Sequence, residues 1–252
     1  MSVIPPQLGS NDPSRKIGVL LVGHGTRNKA GQAEFVQLFE QVRQLLLPIV
    51  CELAFLELAE PSIEQGIQSL ANQGIQEVIT VPAILFSAGH AQSDIPEAVQ
   101  QAAQAAGIVP IGQTDALECS PEVLELAATR FRQAACGQEC LQGCSNKFCS
   151  TASWLMIGRG SSSPSATEMT REFCCLRWRD TPSRFAQVAF IHGQRPTVEE
   201  AMDEIARQDC SLVVIQPHLL FSGLLMDQLT AQVAQRQSEN PHQKWVITGS
   251  LG

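Results

Sequence analysis

Two histidines, each flanked by glycine and each following an apolar run, are the residues of this chain best suited to chemistry. The first lies in Gly23-His24-Gly25-Thr26, after Ile17-Gly18-Val19-Leu20-Leu21-Val22. The second closes Phe86-Ser87-Ala88-Gly89-His90, after Val78-Ile79-Thr80-Val81-Pro82. Neutral imidazoles ligate divalent transition metals, and with an ordinary pKa of about 6.5 they also take up protons near neutrality. A metal held by two imidazoles alone keeps open coordination positions, which suits handing the metal on better than storing it. The flanking glycines let the backbone turn sharply and let a bulky ligand approach. A plainer reading has each imidazole bonding a nearby carbonyl. The GHGT turn could also cradle a phosphate at a helix start, but it lacks both G-x-G-x-x-G and the Walker spacing, so no nucleotide is called for.

The second half of the chain repeats the pattern without the imidazoles. Moving 135 positions along takes Gly23 and Gly25 to Gly158 and Gly160, but His24 to Arg159. Leu85-Phe86-Ser87 becomes Leu220-Phe221-Ser222, while His90 becomes Leu225. Ala54-Phe55, Pro61, Glu64, Val78 and Pro82 all recur at the same offset of 135, as Ala189-Phe190, Pro196, Glu199, Val213 and Pro217. Identities at one fixed offset signal an internal duplication. One working site per chain, built on the first half, is expected.

The elements that must position these residues alternate strand and helix. Strands are expected over 16–22, 50–56, 77–82 and 108–111. Helices are expected over 30–47, 62–72 and 95–106, with a closing helix over 121–134. A long loop carries His90. The second half repeats the plan from a strand at 153–157 to one at 244–248, with no partner for the closing helix. Alternation of this kind implies parallel βαβ units with right-handed crossovers, and the near-continuous apolar strands agree. The expected fold is α/β: two tandem units, each a four-stranded parallel sheet flanked by helices. In the strand order 2-1-3-4, strands 1 and 3 are neighbours and flank the point where the winding reverses, the usual ligand crevice. Both histidines then overhang one crevice. The expected domains are a flexible lead-in at 1–15, an N-terminal domain carrying the histidines at 16–135, a Cys-rich linker at 136–152 and a degenerate repeat at 153–252.

Composition narrows the partners. The chain has 252 residues, 44% of them hydrophobic, enough for two cores, and a net charge of −8. That charge argues against nucleic acid and anionic membrane surfaces as partners. There is no run of 18 apolar residues and no signal-peptide pattern at Met1-Ser2-Val3-Ile4-Pro5-Pro6, so a cytoplasmic protein is expected. Nine cysteines in such a protein are poor candidates for structural disulfides. Cys51, Cys119, Cys174, Cys175 and Cys210 read as small buried hydrophobes. Cys136, Cys140, Cys144 and Cys149 cluster between the halves. Four thiolates in a short segment can hold an iron–sulfur cluster or zinc, or remain free or redox-switching; the spacing lacks the paired C-x2-C of zinc ribbons.

Three segments carry a family resemblance: the strand with GHGT, then Phe55-Leu56-Glu57-Leu58-Ala59-Glu60-Pro61-Ser62, then Val81-Pro82-Ala83-Ile84-Leu85-Phe86-Ser87-Ala88-Gly89-His90. In this order and spacing they resemble the sirohydrochlorin cobaltochelatase/ferrochelatase family, the class II chelatases. The resemblance covers about residues 16–135 closely and 153–250 more loosely. It implies insertion of Co²⁺ or Fe²⁺ into sirohydrochlorin, on the way to cobalamin or sirohaem, by a chain that fuses two units and acts as a monomer. It implies a macrocycle bound in a cleft between the two units. It gives His24 and His90 the metal-binding and proton-accepting roles, and makes Leu85, Phe86, Ser87, Ala88 and Gly89 the loop lining the macrocycle. Glu57 and Glu60 fall in the family's acidic-Pro motif, where one guides the metal or accepts a pyrrole proton; a helix-start carboxylate is also an ordinary structural feature.

An acidic protein that binds a polycarboxylate needs local cations. Arg159 and Arg195 are the substrate-binding candidates of the second half, with Arg27 and Lys29 beside the first histidine motif. His192 replaces Glu57 and is a weaker candidate; His218 reads as structural and His242 as exposed. Imidazole and carboxylate donors accept nickel as well as cobalt or iron. Two rival functions stand beside the chelatase: a non-catalytic metal or tetrapyrrole carrier, and an iron–sulfur redox regulator worked by the cysteine segment.

Overall fold

The computed structural model describes residues 16–86, 90–136, 152–179, 181 and 183–252; the side chains of residues 90–92 lie outside the description. Two four-stranded parallel sheets form, each with the first strand of its unit between the second and third and the fourth beyond the third at the edge. The doubly wound order expected from the sequence is therefore present twice.

In the first unit, β1 (Ile17–Gly23) lies between β2 (Val50–Phe55) and β3 (Glu77–Ala83), with β4 (Val109–Gln113) at the edge. Gly23, the last residue of β1, pairs with Phe55 on one side and Ala83 on the other. Helix α1 (Lys29–Leu46) starts at Asn28, whose side chain accepts a hydrogen bond from the Gly31 N–H, and buries Phe35 and Phe39. The Phe35 ring packs 5.0 Å from that of Phe55. The other face of the sheet, through Leu20, Val22 and Val78, buries Ile63, Ile67 and Leu70 of α2 (Ile63–Asn72) and Ile95, Val99 and Ala103 of α3 (His90–Ala106).

Helix α3 begins five residues before its expected start. Pro96 lies inside it and has no N–H to donate, so the sequence places a helix start beside it. Ile95 and Val99, both buried in the core, hold the helix on either side of that missing bond. As a result His90 is the first residue of a helix and not part of a long loop.

The second unit carries β5 (Ser153–Gly158), α5 (Pro164–Arg179), β6 (Phe185–Phe190), α6 (Val198–Ala206), β7 (Leu212–His218), α7 (Leu224–Glu239) and β8 (Lys244–Ile247). Its core between the sheet and helices α6 and α7 repeats that of the first unit, with Leu155, Ile157, Val213 and Ile215 facing Ala201, Met202 and Leu229. Capping boxes start the equivalent helices in both units: Ser62 with Gln65 for α2, and Thr197 with Glu200 for α6. Both are preceded by a cis proline, Pro61 and Pro196.

The closing helix departs from expectation. Helix α4 (Pro121–Cys136) does not close the first unit; the chain divides between Leu117 and Glu118, and α4 packs on the second sheet. Buried polar and aromatic contacts fix it there. The Gln216 amide on β7 donates to the Ala127 carbonyl at 2.6 Å and accepts from the Trp154 indole N–H at 2.9 Å. Phe131 meets the Trp154 ring edge-on at 6.2 Å. The expected boundary at residue 135 followed sequence order, whereas the division follows packing. Among the described residues no helix is long and apolar enough to cross a membrane.

Candidate metal-handling site

His24 sits one residue beyond β1, and the backbone explains why it can stand beside Glu57. The chain leaving β2 keeps pairing with β1 past the strand end. The Leu56 N–H donates to the Gly23 carbonyl at 2.9 Å, and the Glu57 N–H to the His24 carbonyl at 3.0 Å. This close approach depends on Gly25. Its φ is +96°, and a Cβ there would lie 1.7 Å from the Glu57 carbonyl oxygen. Only glycine fits both the dihedral and the space. Gly23 is also closely packed, since an added Cβ would lie 3.0 Å from the Phe35 ring, which would have to give by a few tenths of an ångström.

The result is an imidazole–carboxylate pair. His24 Nδ1 lies 3.5 Å from Glu57 Oε1, with the two side chains 40% and 54% exposed. Both remain open to solvent, so a ligand can reach them. A carboxylate against one ring nitrogen orients the imidazole and offers a metal a hard oxygen beside a nitrogen, a mixed donor set that cobalt and iron both accept. The loop after His24 is tied down as well. Thr26 Oγ1 accepts from the Asn28 N–H at 3.1 Å, and the Gln32 side chain donates to the Thr26 carbonyl at 2.6 Å.

Glu60 is occupied elsewhere. Its Oε2 accepts the Ser62 N–H at 3.0 Å, at the start of α2. Of the two acidic residues in the motif, only Glu57 faces His24. His90 opens α3 beyond the carboxyl end of β3, the strand beside β1, so its backbone and that of His24 follow neighbouring strand ends. Its side chain lies outside the described residues, as do Ser87, Ala88 and Gly89. Leu85 and Phe86 are half-buried bends just before them, and Arg27 and Lys29 are exposed.

In the second unit Arg159 and His192 are exposed. Arg195 is ion-paired to Glu200, the acidic member of the α6 capping box, so it braces a helix start. His218 is buried against the Phe173 ring at 4.1 Å, and burial lowers its pKa to about 3. Cys51, Cys174 and Cys210 are buried as expected, but Cys119 is only partly buried and Cys175 is exposed. Cys136 ends α4, whereas Cys140, Cys144 and Cys149 lie outside the described residues. Among the described residues no three His, Cys, Asp or Glu side chains gather as a metal site. The sequence reading included Glu57 but missed its contact with His24. The signal was present in Gly25, since a glycine two residues past an apolar strand permits the neighbouring chain to come this close.

The structure is thus a duplicated doubly wound α/β fold with an exposed imidazole–carboxylate pair at the strand ends of one copy. The chain belongs to the CbiX family, whose model matches residues 18–134 and 153–252. It is 30% identical over 227 residues to a sirohydrochlorin ferrochelatase of Bacillus subtilis (strain 168), covering 90% of this chain and 83% of that protein. It is 27% identical over 235 residues to a sirohydrochlorin cobaltochelatase of Priestia megaterium, covering 93% of this chain and 74% of that one. Among solved structures it is similar to SirB from Bacillus subtilis with Fe³⁺, with a TM-score of 0.80 and 29% identity over 94% of this chain and 89% of that one.

Proposed function

We propose that this chain is a sirohydrochlorin chelatase that inserts Co²⁺ or Fe²⁺ into the macrocycle, in cobalamin or sirohaem biosynthesis. The observation that carries the reading is the His24–Glu57 pair, held at 3.5 Å by backbone pairing in a chain of this family. Insertion exchanges one M²⁺ for two pyrrole protons. The protein must present a loosely held metal substrate and take those protons away. A neutral imidazole and a carboxylate are each able to do both, and two protein donors leave the metal free to depart. His24 and Glu57 are assigned to this work, with His90 as the second imidazole. Leu85 to Gly89 are assigned to the macrocycle, as is Arg159. Arg195, though proposed from sequence as a further carboxylate contact, is better explained by its ion pair with Glu200. The chain is expected to act in the cytoplasm as a monomer, with neither nucleic acid nor membrane as a partner.

The cysteine segment is the one further cofactor candidate. Cys136, Cys140, Cys144 and Cys149 would hold an iron–sulfur cluster, which insertion itself does not require. Anaerobically purified protein lacking bound iron, sulfide and visible colour would remove this part of the proposal.

The deciding experiment is anaerobic insertion of Co²⁺ and, separately, Fe²⁺ into sirohydrochlorin, followed by absorbance. Multiple turnovers support a chelatase and rank the metals by rate. Stoichiometric binding without product release would instead indicate a carrier.

A further inference from the structure

The acidic turn beside His24 carries backbone strain that its duplicate avoids. Leu58 directly follows Glu57 and takes φ +64°, one of two non-glycine residues with a positive φ among the described residues. A bulky side chain rarely adopts that conformation, because its Cβ crowds the backbone carbonyl oxygen. At the offset of 135 the second unit has Gly193, which takes φ +67° without such crowding. The conformation belongs to the fold, and the close approach at Gly25 shows why. The Glu57 carbonyl rests on Gly25, as the His192 carbonyl rests on Gly160. That contact orients the peptide plane linking residues 57 and 58, and the plane in turn sets φ at residue 58. The second unit meets the demand with glycine. The first meets it with leucine, although Leu58 is 48% exposed and gains little from packing.

A second difference acts on the same turn. In the second unit the Gln194 amide donates to the Ser161 carbonyl at 3.0 Å, and so ties the loop after β6 to the turn after β5. The matching carbonyl of the first unit, that of Thr26, is held from helix α1 by Gln32 at 2.6 Å. Ala59 stands in place of Gln194 and has no side-chain donor with which to make the tie. The turn that carries Glu57 is thus strained and lacks this tie. The turn without the imidazole–carboxylate pair is relaxed and tied.

We infer that Leu58 is a positioning residue whose strained backbone keeps Glu57 from holding a metal at His24 as tightly as a relaxed turn would, and so favours the metal's release. A flip of the Glu57–Leu58 peptide returns Leu58 to a negative φ and takes the Glu57 carbonyl off Gly25. Relief of the strain and loosening of Glu57 therefore occur together. A metal that is a substrate must leave its site, and ground-state binding that is too tight slows the step that consumes it. The inference rests on the chelatase reading and deepens it, because a permanently bound metal would gain nothing from such strain.

The test uses the full chain and Co²⁺ alone, titrated by absorbance, with release followed by transfer to excess chelator. Leu58→Gly removes the strain and is expected to bind Co²⁺ about fivefold tighter than wild type and to release it correspondingly more slowly. Leu58→Ala keeps a Cβ, and with it the strain, and should gain little. Gly193→Ala introduces the same strain into the second unit, where a Cβ would meet only the Ser161 carbonyl oxygen, at 3.8 Å. Its melting temperature should fall by about 3 °C, with Co²⁺ affinity unchanged. A Leu58 that served only packing would give weaker Co²⁺ binding in both Leu58 variants. That result would overturn the inference, as would equal affinity in Leu58→Gly and wild type, an equal gain in Leu58→Ala, or an unchanged melting temperature in Gly193→Ala. If Leu58→Gly alone tightens Co²⁺ binding yet the wild type never turns over sirohydrochlorin, the chelatase reading fails while the role of Leu58 stands.

Discussion

The two crevices of this chain share a backbone and differ in side chains, and the contrast separates what the fold requires from what the chemistry requires. Gly25 and Gly160 adopt the same left-handed conformation and admit the same carbonyl, from Glu57 in one copy and His192 in the other. Both copies extend the central ladder two residues past the strand ends, with hydrogen bonds of 2.9–3.1 Å. Both begin the next helix with a capping box. Positions 60 and 195 carry opposite charges, yet each contacts the start of the following helix, Glu60 through the Ser62 N–H and Arg195 through Glu200. Positions 24 and 57 are different. Their replacement by Arg159 and His192 removes the imidazole–carboxylate pair while leaving the frame intact. Glycine at the turn is therefore a property of the fold, and histidine beside it is not required by the fold.

The largest expected effect breaks this symmetry. His24→Ala should lower the insertion rate by about 100-fold or more, the range in which a lost proton acceptor and metal ligand falls. The fold should survive, because the side chain is 40% exposed and its place in the repeat is taken by an arginine. A His24→Ala enzyme with near-normal turnover would move the site elsewhere. Gly25→Ala and Gly160→Ala should instead act alike on stability. Each puts a Cβ within 1.9 Å or less of a carbonyl oxygen at a positive φ, with an expected cost of about 3 kcal/mol. Only Gly25→Ala should also abolish insertion under conditions where the chain stays folded. Thermal melts and rates measured on the same samples check both statements, and unequal melts would show that the frames are less alike than their hydrogen bonds.

A smaller effect sharpens the assignment of the acidic motif. Glu57→Gln keeps the shape of the side chain and removes its charge next to His24. It should weaken Co²⁺ binding about tenfold, as loss of an orienting carboxylate does at metal sites. Glu60→Gln keeps an acceptor for the Ser62 N–H and should leave Co²⁺ binding unchanged. Titration of Co²⁺ absorbance into each variant separates the two residues, and equal losses would mean that both reach the metal.

Much of this arrangement was legible in the sequence because parallel sheets are buried on both faces and their strands are nearly continuous apolar runs. The parallel sheets follow from that, the order 2-1-3-4 is a common doubly wound arrangement and is the one found, and the offset of 135 locates each counterpart. Two features were not legible. Helix α4 follows β4 in sequence, and nothing in an amphipathic stripe says which of two similar sheets it will cover. The clue was compositional: Trp154 and Gln216 interrupt strands whose counterparts are Val19 and Val81, and both serve to hold α4 through the Ala127 carbonyl and Phe131. The start of α3 was hidden by Pro96, which normally marks a helix beginning but here lies inside one, between two buried apolar residues.

The same repacked face supplies the last difference between the halves. His218 ends β7 where the first unit has Ala83. It is 4% exposed, and burial holds its pKa near 3, below the ordinary 6.5. The folded chain therefore keeps this imidazole neutral, while the unfolded chain protonates it as soon as the pH falls below about 6.5. Its contribution is complete above that value and drains away as the pH drops toward 3. Because each pKa unit is worth about 1.4 kcal/mol, the loss reaches about 2 kcal/mol by pH 5. This figure depends little on the exact folded value, since any pKa well below 5 leaves the folded imidazole neutral there. Denaturant unfolding at pH 7.5 and at pH 5 should show the wild type losing this stability. His218→Gln, which cannot titrate, should lose about 2 kcal/mol less over the same interval, even if it is less stable at pH 7.5. An equal slope in the two proteins would mean that the acid sensitivity arises elsewhere, and that burying a histidine at this strand end has no counterpart in proton uptake.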